Sequence, residues 1–333
     1  MKNLRRSERL LPPRRCSIAP MMNRTDRHFR YLMRLVTRRS WLYTEMVVAQ
    51  ALVHGDPARF LKHHPQEGPL ALQLGGSDPA TLATAARLAE AWGFDEVNLN
   101  AGCPSTRVKD GRMGAVLMNE PERVAECVTA MRAACALPVT VKTRIGVDQR
   151  DDFAFTCRFL EAVAEAGCRT VIVHARKAWL NGLSPRENRS VPLLDYDRVY
   201  ALKAHFPKLE IILNGGVNDL ETAETMLRRC DGVMFGRAAY ARPLLFAQAD
   251  RRFHGSRANA PALAEVLAAY LDYLAVEAVH GKIPHTATAH LSGLFSGLDG
   301  ARVTRRRLGE LAASRDLKTL GGILAPWMYE RAA

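Results

Sequence analysis

Short hydrophobic runs with β-strand composition recur along this chain, and amphipathic helical patterns separate most of them. The eight runs are CSIAPM (16–21), WLYTEMV (41–47), LALQLGG (70–76), EVNLNAG (96–102), VTVKTRIG (139–146), TVIVHAR (170–176), EIILNGG (210–216) and GVMFGRAA (232–239). Helical crossovers between short hydrophobic strands indicate parallel pairing. Eight strands in about 240 residues is the usual size of a (β/α)8 TIM barrel. The pattern therefore predicts an α/β fold of the closed-barrel type, with an open doubly wound sheet as the alternative.

The same patterns divide the chain into three parts. Residues 1–15, MKNLRRSERLLPPRR, form an arginine-rich arm that we expect to be disordered or to touch RNA. Residues 16–258 carry the strand–helix repeat and form the expected barrel. Residues 259–333 lack strand patterns and predict a small all-helical domain. After a first helix near Leu263, its expected helical segments are 284–298, 301–313 and 320–330.

The charge balance restricts the partners of such a chain. Lys and Arg number 47 against 34 Asp and Glu, which gives a formal net charge of +13. A surplus of this size favours a polyanionic partner, either nucleic acid or an anionic membrane surface. No apolar run is long enough to span a membrane, and no signal-peptide pattern appears. We therefore expect no membrane association, and nothing in the pattern indicates an obligate protein partner.

The seven cysteines are scattered along the chain, with no C-x-x-C pair and no zinc-ligand spacing. Several lie in apolar helical patterns, where a free cysteine behaves as a small hydrophobic residue. An odd and scattered set is typical of proteins in a reducing compartment. We therefore expect a cytoplasmic protein without a metal site.

Each predicted strand ends in polar or glycine residues. These strand ends are Pro20–Met21, Glu45, Gln73, Asn98–Asn100–Cys103, Lys142–Arg144, His174, Asn214–Gly215–Gly216 and Gly236–Arg237. Strands that only fill a core do not need such endings. In (β/α)8 barrels the active site lies at the carboxyl ends of the strands. The coincidence of these residues therefore predicts a functional site at that rim.

The residue types at this rim fit a phosphate-bearing aromatic cofactor. The last two strands end in glycines, which let backbone N–H groups approach a phosphate closely, and Arg237 adds charge. Lys142, Gln73 and His174 supply an amine, an amide and an imidazole around an electron-rich ring. Flavin mononucleotide (FMN) matches this set, since the protein's share of flavin chemistry is to position and tune the ring. A Schiff-base lysine at Lys142, as in aldolases of this fold, is the alternative.

Two groups of basic residues indicate how a polyanion is bound. ARVTRRRLGEL places Arg302, Arg305 and Arg306 on one face of a predicted helix, although a merely solvated face is the alternative. The stretch HARKAWLNGLSPRENRS (174–190) follows the sixth strand and interleaves cations with Trp179. Cations and an aromatic side chain at the rim predict a nucleic-acid path into the site. The cations of this stretch are Arg176, Lys177, Arg186 and Arg189.

The motifs of this chain resemble those of the tRNA-dihydrouridine synthases, and within them the A branch. The resemblance runs from about Ser17 to Arg307 and rests on motifs that occur in the family's order. Together they are highly specific, although any one would be weak. The motifs are APMMNRTDRHFR, LYTEM, LQLGGSDP, NLNAGCPS, GAVLM, VKTRIG, HARKAWLNGLSPRENR, ILNGGV and GVMFGRAAY.

The resemblance implies an FMN-bearing barrel with a helical tRNA-binding domain. It implies a reduction of uridine to dihydrouridine in the D-loop of tRNA, with NADPH as reductant. The A branch is associated with positions 20 and 20a. The first fifteen residues and the tail after about Ala312 do not clearly match the family, so the resemblance assigns them no role.

The resemblance also assigns roles residue by residue, at positions that match the family motifs. Cys103 matches the proton donor, and Asn100 lies beside the substrate uracil. The positions with which the A branch orients tRNA are Arg186, Arg189, Arg302 and Arg305. The implied FMN contacts are Ala19, Pro20, Met21, Gln73, Lys142, His174, Asn214, Gly215, Gly216, Gly236 and Arg237.

The implied chemistry explains the lone thiol between a strand and a glycine-rich loop. Hydride transfer from the reduced flavin to uracil C6 builds enolate charge towards C5, which must then receive a proton. Cys103 can supply that proton as a general acid. This role needs the protonated thiol, whereas a nucleophilic cysteine needs the thiolate. Gly102, Gly111 and Gly114 fit a loop that closes over the base.

Two other classes of function stay open at this stage. One is a flavin barrel that reduces a small pyrimidine-like molecule, against which the basic C-terminal part argues. The other is a tRNA-binding or tRNA-folding protein without chemistry, against which the set Cys103, Lys142 and His174 argues. Activity on free pyrimidine would favour the first class, and a colourless purified protein would favour the second.

Overall fold

The computed structural model describes residues 11–280, 282–284, 286–311 and 315–329. Its centre is a closed barrel of eight parallel strands in sequence order, in which the first strand pairs with the last. The predicted closed barrel is confirmed, and the open sheet is excluded. The strands are β1 Cys16–Ile18, β2 Trp41–Val48, β3 Leu70–Gly75, β4 Glu96–Ala101, β5 Val139–Arg144, β6 Thr170–His174, β7 Glu210–Asn214 and β8 Gly232–Phe235.

Helices cover the outside of the barrel, and aspartates begin several of them. Asp78 caps α4, with Pro79 at the first helical position, and Asp152 caps α7. An aspartate oxygen at this place satisfies backbone N–H groups that have no partner within the helix. The helices of this part are α1 Arg27–Val36, α2 Ala49–His54, α3 Pro57–Leu61, α4 Pro79–Ala91, α5 Thr106–Asp110, α6 Pro121–Ala134, α7 Phe153–Glu165, α8 Tyr196–His205, α9 Leu220–Met226, α10 Arg237–Ala241 and α11 Ala249–His254.

The strands are shorter than the hydrophobic runs predicted. Seven of the eight end before the predicted residue, and only β2 extends one residue further. In β7 the cause is backbone conformation, since Gly215 and Gly216 have φ values of +111° and +70°. After β8 the chain turns directly into α10 at Arg237. The predicted strands therefore included the loops that form the rim.

In the described ranges, four helices follow the barrel, as the sequence predicted. They are α12 Leu263–Glu277, α13 Ala287–Leu291, α14 Ala301–Leu311 and α15 Leu317–Tyr329. The predicted segment 284–298 is not one helix, because α13 passes into a 3₁₀ turn at Ser292–Phe295. A side chain at Gly293 in this turn would meet the Tyr240 carbonyl oxygen at 2.4 Å, so this turn lies close against the barrel. None of the helices in the described ranges is long and apolar enough to cross a membrane.

Helix α15 also differs from its prediction, because it begins three residues before the expected position 320. The side chain of Asp316 accepts a hydrogen bond of 2.6 Å from the backbone N–H of Thr319, which gives the helix its start. The predicted ends of the last two helical segments, at 313 and 330, lie outside the described residues.

Helix α1 contacts the first two of the C-terminal helices, α12 and α13. Its capping residue Asp26 accepts hydrogen bonds from His290 at 2.9 Å and from Thr286 at 2.5 Å. Further along α1, the ring of Tyr31 stacks on Tyr273 of α12 with centroids 3.9 Å apart. The boundary that we placed between residues 258 and 259 stays a prediction.

The segment 11–15 packs against the amino-terminal face of the barrel. The Trp41 indole N–H donates to the carbonyl oxygen of Pro12 at 2.9 Å, and Leu11 packs against a cluster that contains Trp41. Arg14 forms a salt bridge of 2.6 Å with Glu96, whose side chain is fully buried inside the barrel. This part of the expected arm is therefore built into the fold, and residues 1–10 lie outside the described part.

Candidate active site

Five strands bring the predicted rim residues into neighbouring positions. The pairing register places Asn100 beside Lys142, and His174 beside Asn214. Gln73 lies one strand earlier and accepts a hydrogen bond of 2.9 Å from the side-chain amide of Asn100. The residues that the sequence assigned to the middle of the site are therefore joined in the structure.

Lys142 and His174 share one acceptor at the centre of this rim. The Asn214 side-chain oxygen accepts from the Lys142 ammonium at 3.0 Å and from His174 Nδ1 at 2.9 Å. The Asn214 amide nitrogen donates to the Met234 carbonyl at 2.7 Å, which fixes the orientation of the Asn214 side chain. Burial lowers the pKa of Lys142 to about 7, and the nearby Arg144 guanidinium acts in the same direction.

His174 is neutral and has one nitrogen without a partner. Burial holds the pKa of His174 well below its usual range, and the cations of Arg144 and Lys142 add to this. Because Nδ1 donates to Asn214, Nε2 carries a lone pair. This atom is buried and has no hydrogen-bond partner among the described residues. A buried acceptor of this kind calls for a donor from a bound molecule.

The backbone around Cys103 is held by hydrogen bonds on both sides. The Asn100 side-chain oxygen accepts from the N–H groups of Gly102 at 3.1 Å and Cys103 at 2.9 Å. The Cys103 carbonyl accepts from Ala115 at 2.9 Å. Gly114 has a φ of +77°, and a side chain there would meet the Cys103 carbonyl oxygen at 2.4 Å. The partly exposed thiol of Cys103 therefore stands on a fixed backbone.

Arg144 is a rim residue to which the sequence assigned no role. Its guanidinium is buried and donates to the carbonyls of Gly102 at 2.9 Å, Lys177 at 2.9 Å and Asn188 at 3.0 Å. Burial lowers the pKa of Arg144 to about 10, and the nearby Cys103 opposes this shift. Arg144 thus ties the Cys103 loop to the 174–190 stretch. The signal in the sequence was a cation at the last position of a buried strand.

The 174–190 stretch differs in part from its prediction. Arg176, which we expected in a nucleic-acid path, is buried and donates to the carbonyls of Arg189 at 3.2 Å and Pro192 at 2.9 Å. Lys177 lies 4.4 Å from the Trp179 ring centroid and pairs with Asp151 at 2.8 Å. These two cations are therefore engaged by the protein itself.

The same stretch contains two exposed arginines and one buried asparagine that the sequence did not indicate. Arg186 and Arg189 are exposed, as the predicted tRNA contacts require. Asn188 was missed, although it is fully buried and exchanges hydrogen bonds of 2.8 and 2.9 Å with the backbone of Trp179. A buried amide that closes a loop has no clear signal in a single sequence.

The remaining predicted cofactor contacts follow the adjacent strands β7, β8 and β1. A side chain at Gly236 would find open space within 4 Å, while side chains at Gly215 and Gly216, directly after β7, would meet Leu194. Ala19 follows β1 and donates its N–H to the Phe235 carbonyl at 2.7 Å, with Pro20 and Met21 next to it in the chain. Arg237 is exposed and donates to the Arg189 carbonyl at 3.2 Å.

Arg302 and Arg305 lie on α14, outside the rim. Both are exposed, whereas Thr304 and Leu308 on the other face are buried. Arg306, on the same exposed face, is 3.6 Å from Glu310. The structure therefore confirms the exposed basic face and leaves its ligand untested. In the described part of the chain, no group of three or more His, Cys, Asp or Glu residues is arranged to hold a metal ion.

The fold and the rim together define a (β/α)8-barrel enzyme with its site at the carboxyl ends of the strands. A family model described as dihydrouridine synthase matches residues 17–321. The chain belongs to this dihydrouridine synthase family.

Two curated relatives are each named tRNA-dihydrouridine(20/20a) synthase. The one from Synechocystis sp. is 51% identical over 88% of this chain and 88% of its own length. The one from Escherichia coli strain K12 is 50% identical over 92% of this chain and 89% of its own length. Among solved structures, morphinone reductase is 16% identical with a TM-score of 0.51, over 76% of this chain and 88% of its own. That last similarity is one of fold alone.

Proposed function

We propose that this protein is a flavin-dependent tRNA-dihydrouridine synthase. It reduces the C5=C6 bond of uridines at positions 20 and 20a in the D-loop of tRNA, with NADPH as reductant. The observation that carries the proposal is the rim itself. A partly exposed thiol, Cys103, stands on a backbone fixed by Asn100, next to the cluster of Lys142, His174 and Asn214. The names of relatives about 50% identical support the substrate.

The rim residues fit FMN as the cofactor. The unpartnered Nε2 of His174 can accept from a hydroxyl or a ring N–H, and Lys142 places a cation beside an electron-rich ring. The open space around Gly236, at the end of β8, can admit a phosphate at the place where such barrels bind one, whereas Gly215 and Gly216 lie against the side chain of Leu194. The residues that would hold FMN are Ala19, Pro20, Met21, Gln73, Lys142, His174, Asn214, Gly215, Gly216, Gly236 and Arg237. Family membership favours this cofactor over a Schiff base at Lys142.

The chain's own residues supply the proton and the geometry. The chemistry that a bound, reduced flavin supplies is a hydride equivalent to C6 of the uracil. The Cys103 thiol then gives its proton to C5, and the resulting thiolate is reprotonated from solvent. Asn100 holds the Cys103 backbone and, at the position matched by the family motif, would lie beside the uracil. Arg144 holds the Gly102 carbonyl, so that the loop keeps the thiol at the rim.

The target base must leave its stack before it can reach this rim. Exposed arginines would hold the displaced tRNA backbone by phosphate contacts. We assign this role to Arg186 and Arg189 at the rim and to Arg302 and Arg305 on α14. We expect the protein to work in the cytoplasm, because free cysteines are typical of proteins in a reducing compartment.

The test is a reconstituted reaction. The purified protein is incubated with an unmodified tRNA transcript and NADPH, and dihydrouridine is mapped by mass spectrometry. We expect a yellow protein that releases FMN on denaturation, and a gain of two hydrogens at positions 20 and 20a. A protein that stays colourless after reconstitution with FMN would contradict the proposal. Reduction of free pyrimidine but not of tRNA would favour a small-molecule enzyme instead.

A further inference from the structure

A continuous series of hydrogen bonds runs through the barrel interior to the Cys103 loop. We call it the interior chain. Successive members are 2.6 to 2.9 Å apart, and each amide or hydroxyl in it is buried. Its members, from the amino-terminal face of the barrel to the rim, are Arg14, Glu96, Thr140, Asn98, Gln73 and Asn100.

The Glu96 carboxylate can only accept hydrogen bonds, and this determines which partner donates in each later bond of the interior chain. Glu96 accepts from Arg14 at 2.7 Å, from Tyr43 at 2.8 Å and from Thr140 at 2.6 Å. A hydroxyl has one proton to donate. Because Thr140 gives that proton to Glu96, its oxygen is left to accept from the amide nitrogen of Asn98, at 2.8 Å.

The same direction continues to the rim. The Asn98 oxygen accepts from the Gln73 amide at 2.8 Å, and the Gln73 oxygen accepts from the Asn100 amide at 2.9 Å. The Asn100 oxygen is thereby left to face the N–H groups of Gly102 and Cys103. A reversed Asn100 amide would set its own N–H groups against these two donors.

We propose that Glu96 and Thr140 are positioning residues that fix the amide of Asn100 and, through it, the backbone of Cys103. The inference rests on the proposed function, in which Cys103 delivers the proton. Glu96 lies four residues before Asn100 in β4, which is about 13 Å at 3.3 Å per residue. It therefore acts through the interior chain and not by contact with the reacting atoms.

The variant Thr140→Val removes the hydroxyl at nearly the same volume. We expect the backbone amides of Gly102 and Cys103 to exchange about 3- to 10-fold faster, the effect of one lost buried hydrogen bond. Oxidation of the reduced flavin by tRNA should slow by a similar factor, while the KM for tRNA stays the same. Amide exchange by NMR is measured on the protein as purified, and Thr140→Ser should restore both rates.

Tyr43→Phe is the matched control. It removes another buried hydroxyl from the same Glu96 oxygen, but Tyr43 is a side branch of the interior chain. Exchange at Gly102 and Cys103 should stay within about 2-fold of the wild type in this variant. Equal effects of Tyr43→Phe and Thr140→Val would overturn the inference and leave the network as core packing.

A double variant tests the route through Asn100. If Thr140 acts only through that amide, adding Thr140→Val to Asn100→Ala should cause no further loss of rate. Additive losses would overturn the inference. Should Thr140→Val fail to fold, Glu96→Gln replaces it. The glutamine amide can donate to the Thr140 hydroxyl, so every hydrogen bond of the interior chain could then take the opposite donor–acceptor direction.

The two proposals fail in different ways. Failure of the proposed function appears as a wild-type protein whose reduced flavin is not oxidised by tRNA. Failure of this inference appears as an active wild type in which Thr140→Val changes neither exchange nor rate. Amide exchange needs no turnover, so it decides the inference in both cases.

Discussion

At the scale of single residues, the rim is a place of buried positive charge. Lys142 and Arg144 lie two residues apart on β5. After burial, the Arg144 cation contributes most to the lowered pKa of Lys142, whereas Cys103 opposes the lowering of both pKa values. Uncompensated buried cations are unfavourable, so a bound anion would stabilise them. A phosphate and an electron-rich ring supply that compensation, which is why this arrangement fits FMN.

The first prediction concerns the pH dependence that Lys142 confers. With a pKa of about 7, Lys142 is protonated below that pH and neutral above it. We expect flavin reduction by NADPH to slow as the pH rises through the pKa that Lys142 has in the flavin-bound protein, because the cation that stabilises the electron-rich ring is then lost. The bound anion raises this pKa above about 7. Lys142→Met should slow reduction by roughly 10²-fold at low pH, the usual effect of removing one electrostatic group.

Lys142→Arg is the control for this prediction, because arginine keeps its charge across the whole range. Stopped-flow reduction under anaerobic conditions, from pH 6 to pH 10, should show no such decline in this variant. An identical decline in wild type and Lys142→Arg would assign the titration to another group.

At the scale of elements, the sequence predicted the strands well and their ends poorly. Alternating hydrophobic residues determine a strand, but Gly215, Gly216 and Arg237 belong to turns and a helix start that sequence composition does not separate from it. The segment 11–15 was missed as part of the fold. Its anchor is a salt bridge from Arg14 to Glu96, across 82 residues of sequence.

The sequence predicted the residues at the rim of the site but not all of the residues that hold them in place. The motif residues Gln73, Lys142, His174 and Asn214 do meet at one rim. The role of Arg144 was missed, and so were the interior-chain members Arg14, Glu96 and Thr140, because their partners are backbone carbonyls or residues far apart in sequence. One signal was available: polar residues at positions 96, 98 and 100 repeat with period two along a strand that is buried throughout.

The second prediction concerns the start of α1. Burial alone would raise the pKa of Asp26, but hydrogen bonds from His290, Thr286 and Phe29 outweigh it and hold the pKa well below its usual range. A carboxyl group with a lowered folded pKa stabilises the protein above its unfolded pKa, near 4. We expect Asp26→Asn to lower the free energy of unfolding by about 1–3 kcal/mol at pH 7.

The cost of Asp26→Asn should shrink as the pH falls below about 4, because the carboxyl of the unfolded wild type then binds a proton that the folded protein, with its lowered pKa, does not. Urea unfolding at pH 7 and pH 3 measures both values. Asp78→Asn is the matched control, since Asp78 caps α4 through Thr81 and asparagine caps as well as aspartate. A cost for Asp26→Asn that does not depend on pH would contradict the assignment.

At the scale of the whole molecule, the net charge of +13 would favour binding of a polyanion such as tRNA. The third prediction is that Arg302→Ala with Arg305→Ala raises the KM for tRNA and flattens its dependence on salt. Each phosphate contact that is lost reduces the slope of log K against log salt by about one. NADPH oxidation without tRNA should stay nearly unchanged, because the site at the rim is intact.

The control for this prediction removes the same charge from the barrel wall. Arg123→Ala with Arg158→Ala changes two exposed arginines on α6 and α7. Filter binding over a range of salt concentrations should give the wild-type slope for this pair. If both double variants behave alike, the exposed face of α14 is solvated surface and not a tRNA contact.

The central claim, that Cys103 delivers the proton to the uracil, is tested most directly by one turnover of the reduced enzyme. The flavin of wild type, Cys103→Ala and Cys103→Ser is reduced anaerobically, unmodified tRNA is added, and flavin reoxidation is followed by absorbance. We expect normal reduction by NADPH in all three, and reoxidation slower by roughly 10²–10⁴-fold in Cys103→Ala, the usual contribution of a positioned general acid. Cys103→Ser should recover little, since a hydroxyl is a far weaker acid than a thiol. Reoxidation of Cys103→Ala at the wild-type rate would contradict the account, because another group would then deliver the proton.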